Sequence, residues 1–212
     1  MLEKNIREEI ISLIQQQVVP AVGCTEPMAV ALTTARATEL LGKKPTHIRV
    51  LLSANILKNA MGVGIPGTGM IGLPIAIALG ATIGKSDYKL EVIKDLTPET
   101  LEQGKKYLEE CPIDICLKEG ITEKLYIEVI CQTDEHTASA IIAHSHTNIV
   151  YEERNGEILL DNRASGTAET VTKGPELNLR TVWEFATTTP IDEIRFILEA
   201  KRYNLRAAAQ AL

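Results

Sequence analysis

One cysteine of the chain lies in a setting that could give its thiol a chemical role. Cys24 is part of VGCTEPMAV, residues 22–30, in which Thr-Glu-Pro precedes an apolar stretch. Thr25 can cap a helix, Glu26 suits the positive helix start, and Pro27 is tolerated in a first turn. A thiol at a helix start is favoured as thiolate, which is a nucleophile and a ligand for soft metals. A small buried cysteine before a capped helix is the alternative interpretation.

A glycine-rich segment, SANILKNAMGVGIPGTGMIG (residues 53–72), carries a second set of polar side chains. Asn55, Lys58 and Asn59 precede glycines that let a backbone approach a ligand closely, and an amino-acid carboxylate or a phosphate would fit there. The segment is not a P-loop, because no Gly-Lys-Ser/Thr follows. A turn needed only for close packing of the next helix is the other interpretation.

Three histidines flank one predicted strand in HTASAIIAHSHT, residues 136–147. His144 and His146 are two residues apart and would share a strand face, as two metal ligands do. The sequence offers no third ligand nearby, so histidines on the sheet surface or in contact with a substrate are favoured over a zinc site. The other cysteines are more typical of core residues than of cluster ligands; they are Cys111, Cys116 and Cys131.

The composition excludes several classes of protein. Of the 212 residues, 45% are hydrophobic and 24% are charged, which is typical of a globular chain. The net charge of −6 and the aromatic content of 4% disfavour a nucleic-acid partner. The longest apolar stretch, residues 70–84, is shorter than the roughly 20 residues of a membrane-spanning helix, so we expect no membrane partner. The charged first residues are unlike a signal peptide, so we expect a cytoplasmic protein.

The periodicity of apolar residues predicts both helices and strands. Helical spacing predicts helices over residues 2–19, 25–41, 70–84, 97–111, 179–187 and 191–212. Apolar and β-branched runs predict strands over residues 47–54, 90–96, 113–119, 124–133, 138–146, 148–154 and 157–161. We therefore predict an α+β fold, with helices packed on a mostly antiparallel sheet and followed by the start of a helical domain.

Small polar residues over 162–176 predict a linker or exposed loop. We accordingly predict a substrate-binding α+β domain over residues 1–174 and the beginning of a truncated helical domain over residues 175–212. The last helix has an apolar face and no stop signal, which predicts association and hence a homo-oligomer.

Four stretches of the chain resemble, in order, the amino-terminal half of the L-cysteine desulfidase family, which are iron–sulfur enzymes related to bacterial L-serine dehydratases. They are VGCTEPMAVAL, SANILKNAMGVGIPGTGMIGLPIAIALG, EHTASAIIAHSHTNIV and WEFATTTPIDEIRFILEAKRYN. The resemblance covers nearly the whole chain. It implies an α,β-eliminating lyase that converts L-cysteine to pyruvate, ammonia and sulfide, or that acts on L-serine.

The resemblance also implies roles for single residues. Cys24 would be a ligand of an oxygen-labile [4Fe-4S] cluster. His144 and His146 would act in proton transfer. The small amino-acid substrate would be bound by a set of polar side chains, namely Thr25, Asn55, Lys58, Asn59, Thr68 and His136.

The chain also departs from that family. Members are about twice as long, and their other cluster cysteines lie in a carboxy-terminal helical part. One thiolate cannot hold a four-iron cluster, so we expect the cluster in the complete enzyme and not in this chain alone. Activity would require the missing carboxy-terminal half or a partner subunit. Two alternatives remain open: a non-catalytic module that binds a small amino acid or anion, and a structural subunit.

Overall fold

The computed structural model describes residues 2–163 and 175–211, so most of the predicted linker lies outside the described residues. The helices are α1 Lys4–Gln17, α2 Thr25–Leu41, α3 Ala54–Ala60, α4 Leu73–Thr82, α5 Pro98–Glu110, α6 Leu179–Thr188 and α7 Leu198–Ala211. The strands are β1 His47–Leu52, β2 Gly64–Ile65, β3 Met70–Ile71, β4 Ile113–Leu117, β5 Tyr126–Gln132, β6 Thr137–Ala143, β7 Ile149–Arg154 and β8 Glu157–Asp161.

Six of these strands form one sheet in the order β4-β1-β5-β6-β7-β8. The β1–β4 pair is parallel and the other pairs are antiparallel, which confirms the predicted α+β fold with a mostly antiparallel sheet. The core strands show the alternation expected of a sheet with one covered face. In β5, for example, Ile127, Val129 and Cys131 are fully buried, whereas the residues between them are half-buried.

Helix α2 is the central helix of this region, because it packs against both the sheet and α4. Most of its side chains are buried, from Pro27 through Leu41. Helix α4 approaches α2 closely at Gly80, where an added Cβ would lie 2.5 Å from the Ala31 carbonyl oxygen. Only glycine allows that backbone contact. The position of the first turn of α2 is therefore set by tight packing along the rest of the helix.

Two predictions in the middle of the chain are corrected by the structure. The predicted strand over 90–96 is wrong: it lies in a 3₁₀ helix, Ser86–Glu91, and the turn that follows. Leu90, Val92 and Ile93 are nevertheless buried, because so short an apolar run can pack equally well as a turn. The glycine-rich segment, predicted as a loop, contains α3 and the β2–β3 hairpin.

The chain divides into two compact units. One comprises the described residues of Ala21–Gly166 and contains α2 to α5 and the sheet. The other comprises the described residues of Met1–Pro20 and Thr167–Leu212. This division differs from the predicted one, which placed residues 1–174 in a single domain.

The unit that contains α1, α6 and α7 joins the two ends of the chain. Arg7 of α1 donates from Nε to Glu193 Oε2 at 2.8 Å and from Nη2 to Oε1 at 3.2 Å. Asn178 caps α6 by accepting from the Thr181 backbone N–H at 2.9 Å. Local sequence patterns could not predict the pair between residues 7 and 193. Among the described helices, none combines the length and apolar character needed to cross a membrane.

Candidate functional site

The site begins at the loop that enters α2. Gly23 has a φ of 92°, and a Cβ there would lie 2.6 Å from Pro66 Cγ, so this loop packs against the turn between β2 and β3. Cys24 is the N-cap residue, with extended backbone, and Thr25 is the first helical residue. The prediction that Thr25 caps the helix is therefore wrong. No side chain caps α2, so the first N–H groups of the helix remain without an intrahelical partner.

The carboxylate of Glu26 connects the polar side chains at this helix start. Its Oε2 accepts from Cys24 Sγ at 2.9 Å and from Thr25 Oγ1 at 3.3 Å. Its Oε1 accepts from Asn59 Nδ2 on α3 at 3.2 Å. Sequence reasoning assigned Glu26 only to the helix dipole and missed this role. No local pattern signals this role, because Asn59 is 33 residues away in the sequence.

Cys24 is held as a thiol, contrary to the expectation that the helix start favours its thiolate. Partial burial is the main cause that raises its pKa, and its hydrogen bond to Glu26 adds to that effect. The backbone N–H groups of Glu26 and Thr25 act in the opposite direction and are outweighed. The same hydrogen bond lowers the pKa of Glu26. The pair is therefore a thiol donating to a carboxylate, with the proton on sulfur.

Of the two candidate catalytic histidines, only His146 contacts the site. Its Nε2 lies 3.4 Å from Thr25 Oγ1, and the residue is half-buried. His144 is exposed, and its φ of 71° places it in a turn. The prediction that both share a strand face is wrong, because β6 ends at Ala143 and both histidines lie in the turn before β7. That turn places the His146 ring beside α2 and leaves His144 exposed to solvent.

The three polar residues predicted on the glycine-rich segment lie on α3. Asn59 reaches Glu26, as described above. Asn55 is one helical turn before Asn59 and is exposed, as is Lys58. The structure thus joins Asn59 to the site and shows Asn55 and Lys58 on the adjoining surface without a hydrogen bond to Cys24 or Glu26.

Thr68 has a structural role in the β2–β3 hairpin. It is 6% exposed, and its hydroxyl donates to the Ile65 carbonyl at 2.6 Å and accepts from the Met70 N–H at 2.9 Å. These bonds close the turn that packs on Gly23. The hydroxyl proton of Thr68 is thus already donated within the turn, and the expectation that Thr68 binds substrate stays a prediction.

His136 lies at the opposite end of β6 from His146. Seven strand residues separate it from the turn after Ala143, a distance of roughly 23 Å at the usual rise of a strand. Its Nδ1 lies 3.2 Å from Asn155 Nδ2 in the β7–β8 turn. His136 therefore lies remote from His146, and the expectation that it contacts substrate stays a prediction.

The thiols of this chain do not by themselves fit a [4Fe-4S] cluster, which needs several thiolate ligands. Cys131 is fully buried near Thr38, 3.7 Å from its hydroxyl, and Thr38 lies about 20 Å along α2 from Thr25. Cys111 is buried near the Pro45 carbonyl, and Cys116 lies on the edge strand β4. Across the described ranges, no three His, Cys, Asp or Glu residues are grouped as metal ligands.

A surface depression of about 390 Å³ lies at the other end of α2. Its walls include Thr38, Lys44 and Tyr107, and the Lys44 ammonium lies 4.3 Å from the centre of the Tyr107 ring. The Tyr107 hydroxyl donates to the Pro45 carbonyl and is not free to bind a ligand. We place the candidate site at Glu26 instead, because several polar side chains from separate segments converge there.

Comparisons with known proteins place relatives in several bacteria. The chain is 63% identical over 211 residues to a UPF0597 protein of Phocaeicola vulgatus and 59% identical over 211 residues to one of Bacteroides thetaiotaomicron. Each alignment covers 100% of this chain and 49% of the relative. A UPF0597 protein of Aeromonas hydrophila is 42% identical over 96% of this chain and 47% of its own length.

The chain thus spans about half the length of the curated relatives it matches. No protein-family model matches the chain, and no solved structure matches it significantly. The names of these relatives state no reaction or ligand. The resemblance to L-cysteine desulfidases therefore stays a prediction.

Proposed function

We propose that this chain forms the substrate-binding part of an iron–sulfur-dependent, α,β-eliminating lyase of the L-cysteine desulfidase type, acting on L-cysteine or L-serine. One observation supports this most directly. Side chains from α2, from α3 and from the turn after β6 converge on one partly exposed position, and they are Cys24, Thr25, Glu26, Asn59 and His146. A small zwitterion carries polar groups that such side chains can bind.

The substrate carboxylate is proposed to bind at the first turn of α2. The N–H groups of Thr25 and Glu26 lie beside the Cys24 sulfur and have no intrahelical backbone partner, and a helix start attracts anions. His146 is the candidate acceptor of the Cα proton, because imidazole is a common general base and its ring borders the site. We assign no catalytic role to His144, which is exposed in the same turn.

The lyase proposal requires groups that this chain lacks. Its own thiols do not fit the cluster, so this chain alone is proposed to be inactive. We propose that the remaining half of the longer relatives, or a partner subunit, completes the site. Exposed apolar residues on α6 suit an association surface: Leu179 is 86% exposed and Trp183 is 68% exposed. Homo-oligomer formation and a cytoplasmic location complete the proposal.

A non-catalytic module that binds a small amino acid or anion is the second candidate. The hydrogen bond from Cys24 to Glu26 favours it, because iron at this sulfur would have to break that bond and displace its proton. In this candidate the same first turn and Glu26 bind the ligand, but no bond of the ligand is broken.

Anaerobic reconstitution with iron and sulfide tests the proposal. This chain is assayed for release of sulfide and pyruvate from L-cysteine, with and without a polypeptide that corresponds to the rest of the relatives. We expect products only when both are present. Cys24→Ala should abolish the reaction, whereas Cys116→Ala, a matched half-buried cysteine on an edge strand, should not.

The outcomes separate the two candidates. Binding of L-cysteine without product, even with the second polypeptide, would support the binding module and overturn the lyase. An equally active Cys24→Ala variant would remove Cys24 as a cluster ligand. If calorimetry detects no binding of L-cysteine or L-serine to this chain in either setting, both candidates fail.

A further inference from the structure

The two units of the chain differ in how much apolar surface they bury. We call the unit that contains α1, α6 and α7 the helical unit; in its described part, only Ile10 and Phe185 are buried hydrophobic residues. Eleven of the sixteen large hydrophobic side chains that are exposed across the described ranges belong to this unit, although it is the shorter one. A concentration of exposed apolar groups of this kind marks an interaction surface.

Helix α6 carries an apolar stripe on its exposed side. Leu179, Val182 and Trp183 are 86%, 49% and 68% exposed, and their spacing of three and four residues places them on one face of the helix. Phe185, which is buried, lies on a different face. The helix therefore packs within its own unit through Phe185 and leaves the stripe uncovered.

Helix α7 has exposed apolar residues and almost no packing of its own. Leu198 and Leu205 are each 58% exposed and lie seven residues apart, so both project from the same side of the helix. Across residues 198–209, none of the side chains is buried. A helix of 14 residues is marginal in water by itself, because most helical stability in proteins comes from packing. The formation of α7 therefore favours a partner on its Leu198–Leu205 side.

The relatives indicate what covers these two faces. The relatives from Phocaeicola vulgatus and Bacteroides thetaiotaomicron align with the whole of this chain, α6 and α7 included, yet each has about as many residues again outside the alignment. Both ends of the aligned region lie in the helical unit, so in those proteins the remaining half continues from that unit. A short covalent connection gives an effective concentration on the order of 1 mM, which favours this half over a second copy.

We propose that the exposed faces of α6 and α7 are the docking surface for the remaining half of the relatives, which completes the core of the helical unit. This inference rests on the proposed function only in that both require that half, and it needs neither a cluster nor a reaction. Trp183 is the expected centre of the contact, because tryptophan is enriched among the residues that carry most of the binding energy of an interface.

Co-expression of the full 212-residue chain with a tagged polypeptide tests the docking surface. The polypeptide is the part of the Phocaeicola vulgatus relative that lies outside the alignment. We expect the two to copurify in equal amounts. Sedimentation velocity over a dilution series should show that Leu179→Lys and Trp183→Ala each weaken the complex about tenfold or more. Ile158→Lys, at a 56% exposed position on β8 in the other unit, should associate as wild type.

Trp183 also reports on this surface in the chain alone, because it is the single tryptophan of the sequence. Acrylamide should quench its fluorescence strongly at every protein concentration, as expected of an exposed indole. Quenching that appears only on dilution would assign the surface to a second copy and overturn the inference. Both substituted positions are exposed, so neither variant should unfold the chain, which far-UV circular dichroism checks.

Further outcomes separate a failure of this inference from a failure of the proposed function. If the complex forms and the two variants weaken it, but no sulfide or pyruvate is released after reconstitution, the lyase fails and the docking surface stands. If the polypeptides do not copurify, or if both folded variants associate as tightly as wild type, the docking surface is overturned. Product formation that requires both polypeptides would in that case leave the lyase intact.

Discussion

The two ends of α2 place cysteine and threonine side chains in very different surroundings. At the first turn, Cys24 donates to a half-buried carboxylate beside a solvent-accessible surface. At the last turns, Cys131 is fully buried against Thr38, and burial raises its pKa to about 12. Burial is the main cause that raises the pKa of Cys131, whereas the pKa of Cys24 is raised by burial and by a charged neighbour. The protonation and reactivity of a cysteine thiol therefore depend on its neighbours, and the residue type alone does not determine them.

The two ends of α2 also differ in what they contribute to the stability of the fold and to ligand binding. The last turns of α2 place Leu41, which is only 1% exposed, in the core, and Arg36 forms an ion pair with Glu152 at their surface. The first turn carries polar groups that bond mainly to one another, and a protein can bury such a group only at some cost. The polar side chains of the first turn therefore add little to stability, as expected of a ligand site, whereas Met28 of the same turn is buried in the core.

The largest expected effect concerns stability at the two ends. Leu41→Ala should lower the free energy of unfolding by about 3 kcal/mol, because it leaves a cavity in the core. Cys24→Ala should lower it by less than about 1 kcal/mol, because it removes one hydrogen bond at a half-buried position. Urea unfolding of both variants measures the difference. Equal losses would show that the first turn is also part of the packed core.

A smaller effect is expected on the reactivity of the thiols. Iodoacetamide at pH 8 should alkylate Cys24 long before Cys131, which is fully buried. Glu26→Gln should accelerate alkylation of Cys24, because the hydrogen bond and the negative charge of Glu26 both raise the pKa of that thiol. Each unit by which the pKa falls increases the thiolate fraction about tenfold.

The time course of alkylation is measured by mass spectrometry of the peptides. The rate at Cys131 should stay unchanged, and Glu119→Gln should leave both rates as in wild type. A slower reaction of Cys24 in Glu26→Gln would show that the carboxylate activates the thiol instead of protecting it.

The smallest expected effect is a pH dependence near the far end of α2, where β1 begins. Hydrogen bonds to Gln132 and then to Asp114 raise the pKa of His47 above its usual value of 6.5. A raised folded-state pKa contributes stability that is present below the unfolded pKa and is lost as the pH rises through the folded value. The pair is exposed, so the contribution should be under about 1 kcal/mol.

Urea unfolding of wild type and Asp114→Asn at pH 6 and pH 8 measures that contribution. The variant should lose less stability than wild type between the two pH values, since the charge that favours protonated His47 is gone. Asp87→Asn, which replaces an exposed carboxylate elsewhere, is the control. The same pH dependence in all three proteins would contradict a contribution from His47 and Asp114.

Many of the helices and strands were predictable from local sequence patterns. The apolar run after Cys24 predicted α2, and alternating or β-branched runs predicted β1 and β5 to β8, because periodicity reports which face of an element is buried. Individual candidates were also found by residue type and local setting, namely Cys24, Asn59 and His146. The short α3 and the β2–β3 hairpin were missed, because a helix of two turns and strands of two residues are too short to show their periodicity.

The sequence by itself determined which elements form and which polar residues accompany them. Only the tertiary structure decided which of those residues meet. Glu26 became the centre of the site because α3 brings Asn59, 33 residues away, into contact with it. His146 was selected over His144 and His136 because β6 ends at Ala143 and its turn contacts α2 at Thr25, 121 residues distant in the chain. Such contacts depend on how elements pack and where turns begin, and local periodicity contains no information on either.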